Sequence, residues 1–163
     1  MHAIEPFPST FARLRVNARR SRLANLVAWP VAVGDRFGSA RVWPHDHGDS
    51  GSTTTIGGRG VVVPRLPLDS LIDEDRRVRL LKIDVEGYEP AVLDGARQTL
   101  ERTDAALVEL NRPGLEAHGS SPDEVRSRLG AAGLSVQREI LPRYSRLRKA
   151  GEVTNLLASR PSG

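Results

Sequence analysis

An α/β fold built on an open sheet is what this sequence of 163 residues predicts, on three observations. Short apolar runs alternate with segments that carry helix periodicity and helix-start signals. The last two runs, SVQREI and EVTNLLASR, are separated by a basic turn region and read as a closing antiparallel pair. Several runs end in carboxylates, and an open α/β sheet presents its ligand crevice at the carboxyl ends of its strands.

The elements follow in chain order. HAIEPFP reads as the end of a strand closing at Glu5 and Pro6. Ser9 then caps a helix whose apolar positions Phe7, Phe11, Leu14 and Ala18 stand at spacings of four, three and four, ending near Ala24 and Asn25. Leu26 to Asp35, LVAWPVAVGD, is a second strand in which Pro30 marks an edge or a bulge. A polar excursion follows over about 36–60, holding a short strand in SARVWPHD and a loop in DSGSTTTIGG. VVVPRLPLDSLI is a strand interrupted by Pro64 and Pro67. In LLKIDVEGYEPAVLDG the apolar run Val78, Leu80, Leu81, Ile83 and Val85 reads as a buried strand, which Gly87 breaks. Pro90 takes a first helical position, and Val92, Leu93, Ala96 and Leu100 form the buried face of that helix. AALVELN, Ala105 to Asn111, is a further strand; Ser121, Pro122 and Glu124 are in capping-box register, and Gly133 stops the helix they begin.

Length and composition bound the function. The chain, 1–163, fits a single domain with a real core, at 39% hydrophobic and 27% charged residues. No apolar run approaches the ~20 residues of a membrane helix, and no signal-peptide pattern opens the chain, so the expectation is a cytoplasmic protein without a membrane partner. Cysteine is absent, which excludes disulfides, thiolate metal sites and cysteine nucleophiles. The net charge of +4 and pI near 10.3 come from arginine, clustered at Arg13, Arg15, Arg19, Arg20 and Arg22 and again at Arg143, Arg146 and Arg148 beside Lys149. Only 4% of residues are aromatic, too few to stack on bases, which argues against a nucleic-acid partner. A non-catalytic basic binding module is the competing class of function.

The acids at strand ends carry the chemistry. Glu5, Asp84 with Glu86, and Glu109 each stand at or near the end of an apolar run. An acid ending the second strand of a nucleotide-binding half accepts hydrogen bonds from both ribose hydroxyls, though from this residue alone an ordinary exposed acid near a terminus is the preferred reading of Glu5. Asp84 and Glu86 are two residues apart and could orient a cation or a substrate hydroxyl, one of them acting as base. Glu86 and Glu89 also suit the start of the helix at Pro90, where negative charge is favoured. His45 and His47 with Asp46 and Asp49 are read as a solvated polar loop rather than a metal site, and Ser52 to Thr55 lack the G-x-S-x-G of a hydrolase elbow.

LLKIDVEGYEPAVLDGA resembles the signature of the FkbM-type methyltransferases. AIEPFPSTFARLRVNA is similar to that family's E-P-x-P strand and helix, WPVAVGDRFGSARVW to its third strand and hairpin, VPRLPLDSLI to its approach segment, and ALVELN to its fifth strand. The resemblance implies a Rossmann-like class I methyltransferase fold, a mostly parallel sheet with helices on both faces. It implies S-adenosylmethionine as cofactor and O-methylation of a hydroxyl on a sugar or natural product, hence a small-molecule or glycan acceptor. It would place Glu5 on the cofactor ribose, Ala32 and Val33 beside the adenine, Asp84 at the methionine portion, and Glu86 on the acceptor hydroxyl. The family begins with a strand and a Gly-rich G-A-N-x-G turn, both missing before Glu5. The expectation is therefore a mis-set start or fragment, then a degenerate inactive remnant, then a piece completed in trans. The flanking edges would close on each other or take a strand from elsewhere.

Overall fold

The computed structural model describes residues 1–43, 60–140 and 152–161. The His45/His47 loop, Ser52 to Thr55 and the late arginine cluster lie outside the described residues.

The chain opens with a parallel βαβ unit. β1 (His2–Ile4) and β2 (Val27–Trp29) pair in register from His2 opposite Val27 to Ile4 opposite Trp29, joined by α1 (Pro8–Arg20). The cap of α1 is Phe7 rather than Ser9, because Pro8 occupies the first turn, where its missing N–H is no loss. The helix also stops short of Ala24: Ser21 closes its last turn and Arg22 turns the chain at φ 54°.

Leu26 to Asp35 is not one strand. Pairing with β1 ends at Trp29, and after Pro30, which offers no donor, the chain enters β3 (Ala32–Val33) in a different sheet. There β5 (Val61–Leu66) lies between β3, parallel, and β4 (Gly38–Val42), antiparallel. Pro64 does not interrupt β5. It stands opposite Ser39, one residue before β3 begins at Arg65, so β5 has a single neighbour there and the sheet tolerates the proline as an edge would.

The main sheet has the order β6-β7-β9-β8. β6 (Val78–Ile83) and β7 (Thr103–Asn111) are parallel, while β9 (Val153–Ser159) runs antiparallel to both β7 and β8 (Ser135–Ile140), the closing pair the sequence indicates. β7 has the period of two: Ala106, Val108 and Leu110 are buried and belong to one core cluster with Val92, Leu93, Val125 and Leu129. Val92, Leu93, Ala96 and Leu100 are all buried as their spacing predicts, yet they belong to two short helices, α2 (Glu89–Asp94) and α3 (Arg97–Glu101). The break falls at Gly95, where a Cβ would come within 1.9 Å of Gly34 O. α4 (Arg112–Ala117) has no counterpart in the sequence reading. α5 (Pro122–Ala131) begins at Ser121, whose hydroxyl accepts from Glu124 N as read, but the Glu124 carboxylate turns to Ser120 and Arg128 instead of closing the box.

β6 corrects one expectation. Ile83 is buried, but Leu80 is 57% exposed, so the strand is covered on one face only among the described residues. Among the described residues β1 and β6 do not close on each other either: β1 pairs only with β2, and β6 only with β7. The sheet is mixed, in three parts, rather than one open parallel sheet.

α3 is held from a distance. Its own N-cap, Ala96, has no side chain to offer, and Asp69 instead accepts from Gln98 N (3.1 Å) and Thr99 N (2.8 Å). Asp69→Ala leaves both donors unmet at a helix start and is expected to lower stability by about 1 to 2 kcal/mol, while Asp69→Asn keeps most of it. Urea unfolding of the two variants checks this; equal midpoints would refute it.

Candidate functional site

The acid-rich turn after β6 is a bracketed loop. Glu86 has φ 54°, a left-handed conformation that costs a non-glycine residue about 1 to 3 kcal/mol unless the surroundings enforce it. Asn111, the last residue of β7 and 3% exposed, enforces it: its Nδ2 donates to Glu86 Oε2, and its Oδ1 accepts from Gly114 N at 3.1 Å. One amide thus ties the turn after β6 to the first turn of α4.

Two glycines make the approach possible. Gly87 has φ 103°, and a Cβ on it would stand 2.2 Å from Gly114 C; a Cβ on Gly114 would stand 2.4 Å from Glu86 O. Neither position has room for a side chain, and Gly87 adopts a backbone conformation that other residues avoid.

Beneath the turn lies Glu89, which is fully buried. Its Oε1 accepts from Gly87 N at 2.9 Å, and Oε2 has no hydrogen-bond partner among the described residues. Burial pushes its carboxyl up to about 7, with the charges of Glu86 and Asp84 adding to the rise and the backbone donors opposing it. Helix-start electrostatics alone would leave Glu89 exposed and ionised; here it is a buried acid close to neutrality.

Asp84 sits on the opposite, exposed side. Its Oδ2 pairs with Lys82 Nζ at 2.9 Å. The Asp84 hydrogen bond, helped by the charges of Asp84 and Glu109, raises the Lys82 ammonium above its ordinary value against a desolvation cost. The structure therefore gathers Asp84, Lys82 and Glu109 on one face of β6 and β7. An exposed pair of this kind contributes little to stability and leaves both groups available to a ligand.

Glu5 is half-buried just beyond β1, and its Oε1 accepts from Phe7 N at 2.8 Å. That bond fixes the carboxylate at the start of α1. Ala32 is buried and Val33 packs against the main core together with Ile4. The next residue, Gly34, presses its carbonyl on Gly95, so β3 reaches the α2–α3 junction. Asp84, Glu86 and Glu89 share one turn; Glu5 stands apart from them in sequence, between β1 and α1 of the first βαβ unit.

Sequence reasoning missed four participants. Asn111 reads only as a strand end, although N-x-x-G is the pattern of a side-chain cap. Tyr88, 41% exposed, meets His118 edge-on with ring centroids 4.4 Å apart, and burial lowers the His118 imidazole below its ordinary value. His118 and Tyr88 are thirty positions apart in the chain, so no local pattern links them. Lys82 carries no motif. Among the described residues no cluster of metal-binding side chains exists, and no helix is long and apolar enough to cross a membrane.

Comparison with known proteins bears on this geometry. The sequence model of the family described as Methyltransferase FkbM domain matches residues 1–136. The hexuronic acid methyltransferase AglP of Haloferax volcanii is 26% identical over 137 residues, which is 83% of this chain and 54% of that protein. The crystal structure of a methyltransferase FkbM from Methylobacillus flagellatus KT superposes with a TM-score of 0.61 at 19% identity, over 96% of this chain and 36% of the other. The chain thus spans about half the length of the curated relative it matches. A family match that runs from the first strand into β8, with the D-x-E-G-x-E turn inside it and the α/β fold shared with the solved structure, means that this chain belongs to the FkbM methyltransferase domain family.

Proposed function

We propose that the chain is the core of a methyltransferase that uses S-adenosylmethionine to O-methylate a hydroxyl of a small-molecule or glycan acceptor. The observation that carries this reading is the enforced left-handed turn at Glu86, because strain held in place by a buried amide concentrates where a side chain must be aimed. The relative named for hexuronic acid favours a sugar acceptor.

The donor set suits such a cofactor. Glu5 has one carboxylate oxygen on Phe7 N and the other left for a ribose hydroxyl; Ala32 is small enough to border a flat ring, with Val33 beside it; Asp84 offers an exposed carboxylate to an ammonium or sulfonium. When bound, S-adenosylmethionine supplies an activated methyl. The chain's own residues then align and exclude. Glu86, oriented by Asn111, holds the acceptor hydroxyl in line and takes its proton, and transfer depends above all on that alignment.

The finer fold belongs to the same proposal. Among the described residues β1 and β6 each have one hydrogen-bonded neighbour, and both of those partners are parallel. A single further parallel strand between them would join the first βαβ unit to the main sheet as a continuous Rossmann-like sheet, bringing Glu5 and Asp84 to either side of its end.

Calorimetric titration of the protein with S-adenosylmethionine tests the reading. Asp84→Asn is expected to weaken binding about tenfold or more, the worth of a hydrogen bond to a charged group. Glu86→Gln, which keeps an acceptor for Asn111, is expected to leave binding intact and lower methyl transfer about a hundredfold. Binding unaffected by Asp84→Asn would remove Asp84 from the site, and absence of any heat would refute the cofactor assignment.

A further inference from the structure

The first βαβ unit carries a charged surface distinct from the acid turn. Between Glu5 and Asp35 the chain has five arginines and no acid. Elsewhere most arginines are engaged: Arg77 with Asp104, Arg126 with Glu139, Arg128 with Asp94 and Glu124, and Arg102 and Arg160 with backbone carbonyls. Arg15, Arg19, Arg20 and Arg22 have no such side-chain partner among the described residues, and Arg13 reaches only the Thr10 hydroxyl.

These cations surround apolar surface. α1 has no fully buried residue, so its packing on β1 and β2 leaves much of it in solvent. An open cleft of about 730 Å³ lies between α1 and β2, with Phe11, Leu23 and Leu26 in its lining and Arg15, Arg19 and Arg22 contributing to it. None of the acid-turn residues line it. Val16 is 51% exposed, Leu23 43% and Val27 45%. On a helix Val16 neighbours Arg13, Arg19 and Arg20 at spacings of three and four, so an aliphatic side chain stands among cations.

We propose that this face of α1 and β2 is a docking surface for anionic phospholipid headgroups, with the guanidinium groups on the phosphates and Val16, Leu23 and Val27 against the glycerol and upper acyl region. The charge is complementary and locally unopposed. The mixture of aliphatic and arginine side chains is what the boundary of a bilayer accommodates, whereas a single-stranded nucleic-acid surface would add exposed rings for bases and a duplex surface would have no use for the exposed Val16, Leu23 and Val27. Such attachment is peripheral and reversible, and it would hold the acid turn near acceptors that are themselves lipid-bound or surface-bound.

Sedimentation of the whole chain with vesicles of phosphatidylcholine containing phosphatidylglycerol, against vesicles of phosphatidylcholine alone, tests this. Binding is expected only to the anionic vesicles and is expected to weaken as salt rises. The combined variant Arg15→Gln, Arg19→Gln, Arg22→Gln should lose affinity by about fivefold per arginine removed. The control Arg76→Gln, Arg79→Gln, Arg138→Gln removes the same charge from other exposed positions and should bind nearly as the parent does. All six side chains are exposed, and matching circular dichroism spectra verify that both variants fold. Val16→Ser with Leu23→Ser should weaken vesicle binding at fixed charge. The proposal is overturned if the parent ignores anionic vesicles, if the two triple variants lose affinity equally, or if duplex DNA or inorganic phosphate displaces the protein from vesicles at concentrations where it should prefer lipid.

Discussion

Gly87→Ala should destabilise the protein by about 4 kcal/mol or more, near the upper end for single substitutions. Two costs add. The backbone at φ 103° disfavours any Cβ, and that Cβ would overlap the Gly114 backbone at 2.2 Å. Relief by moving α4 away would stretch Asn111 between Gly114 N and Glu86, so the strain cannot relax without releasing the turn. Urea unfolding of the parent and the variant gives the difference. A midpoint within error of the parent would mean the turn and α4 are not in contact as described.

Glu89 should make stability fall as pH rises. A carboxyl raised from 4.5 to about 7 binds its proton more tightly in the folded protein than in the unfolded chain. Its stabilising contribution is therefore complete below about pH 4.5 and is lost as pH rises through about 7, a loss of about 3 kcal/mol at most. His118 acts oppositely: its lowered pKa makes folding more favourable as pH rises through the range just below its ordinary value. Comparison with Glu89→Gln isolates the glutamate, since the variant keeps an oxygen for Gly87 N and cannot ionise. The difference in stability between variant and parent should grow in the variant's favour from acid to alkaline pH. A difference that stays constant across that range would show that Glu89 is ionised throughout or is not buried.

Much of the fold was legible because it rests on short-range patterns. The period of two in β7, the apolar spacing of Val92, Leu93, Ala96 and Leu100, and the Ser121 cap follow from neighbours in sequence, and each is found in place. The misreadings share a cause, which is that partners decide them. Whether Pro30 makes a bulge or a change of sheet depends on where β5 lies; whether Leu80 is covered depends on what packs on that face of β6. A single-sequence pattern carries no information about either. The candidate site divides the same way. Asp84, Glu86 and Glu89 advertise themselves as acids around a glycine, but Asn111, which sets the conformation of Glu86, is twenty-five residues away and is placed by the β6–β7 register. The burial that lifts Glu89 is a property of the assembled core.

The amide of Asn111 has a consequence for accuracy. It closes the ladder of one strand and clamps the turn leaving its neighbour, so the aim of Glu86 is inherited from interstrand alignment and does not depend on how the surface segments happen to be arranged. Insertions in those segments can vary the surroundings while the conformation of Glu86 stays put, whereas a slip of a single rung between these two strands would release it.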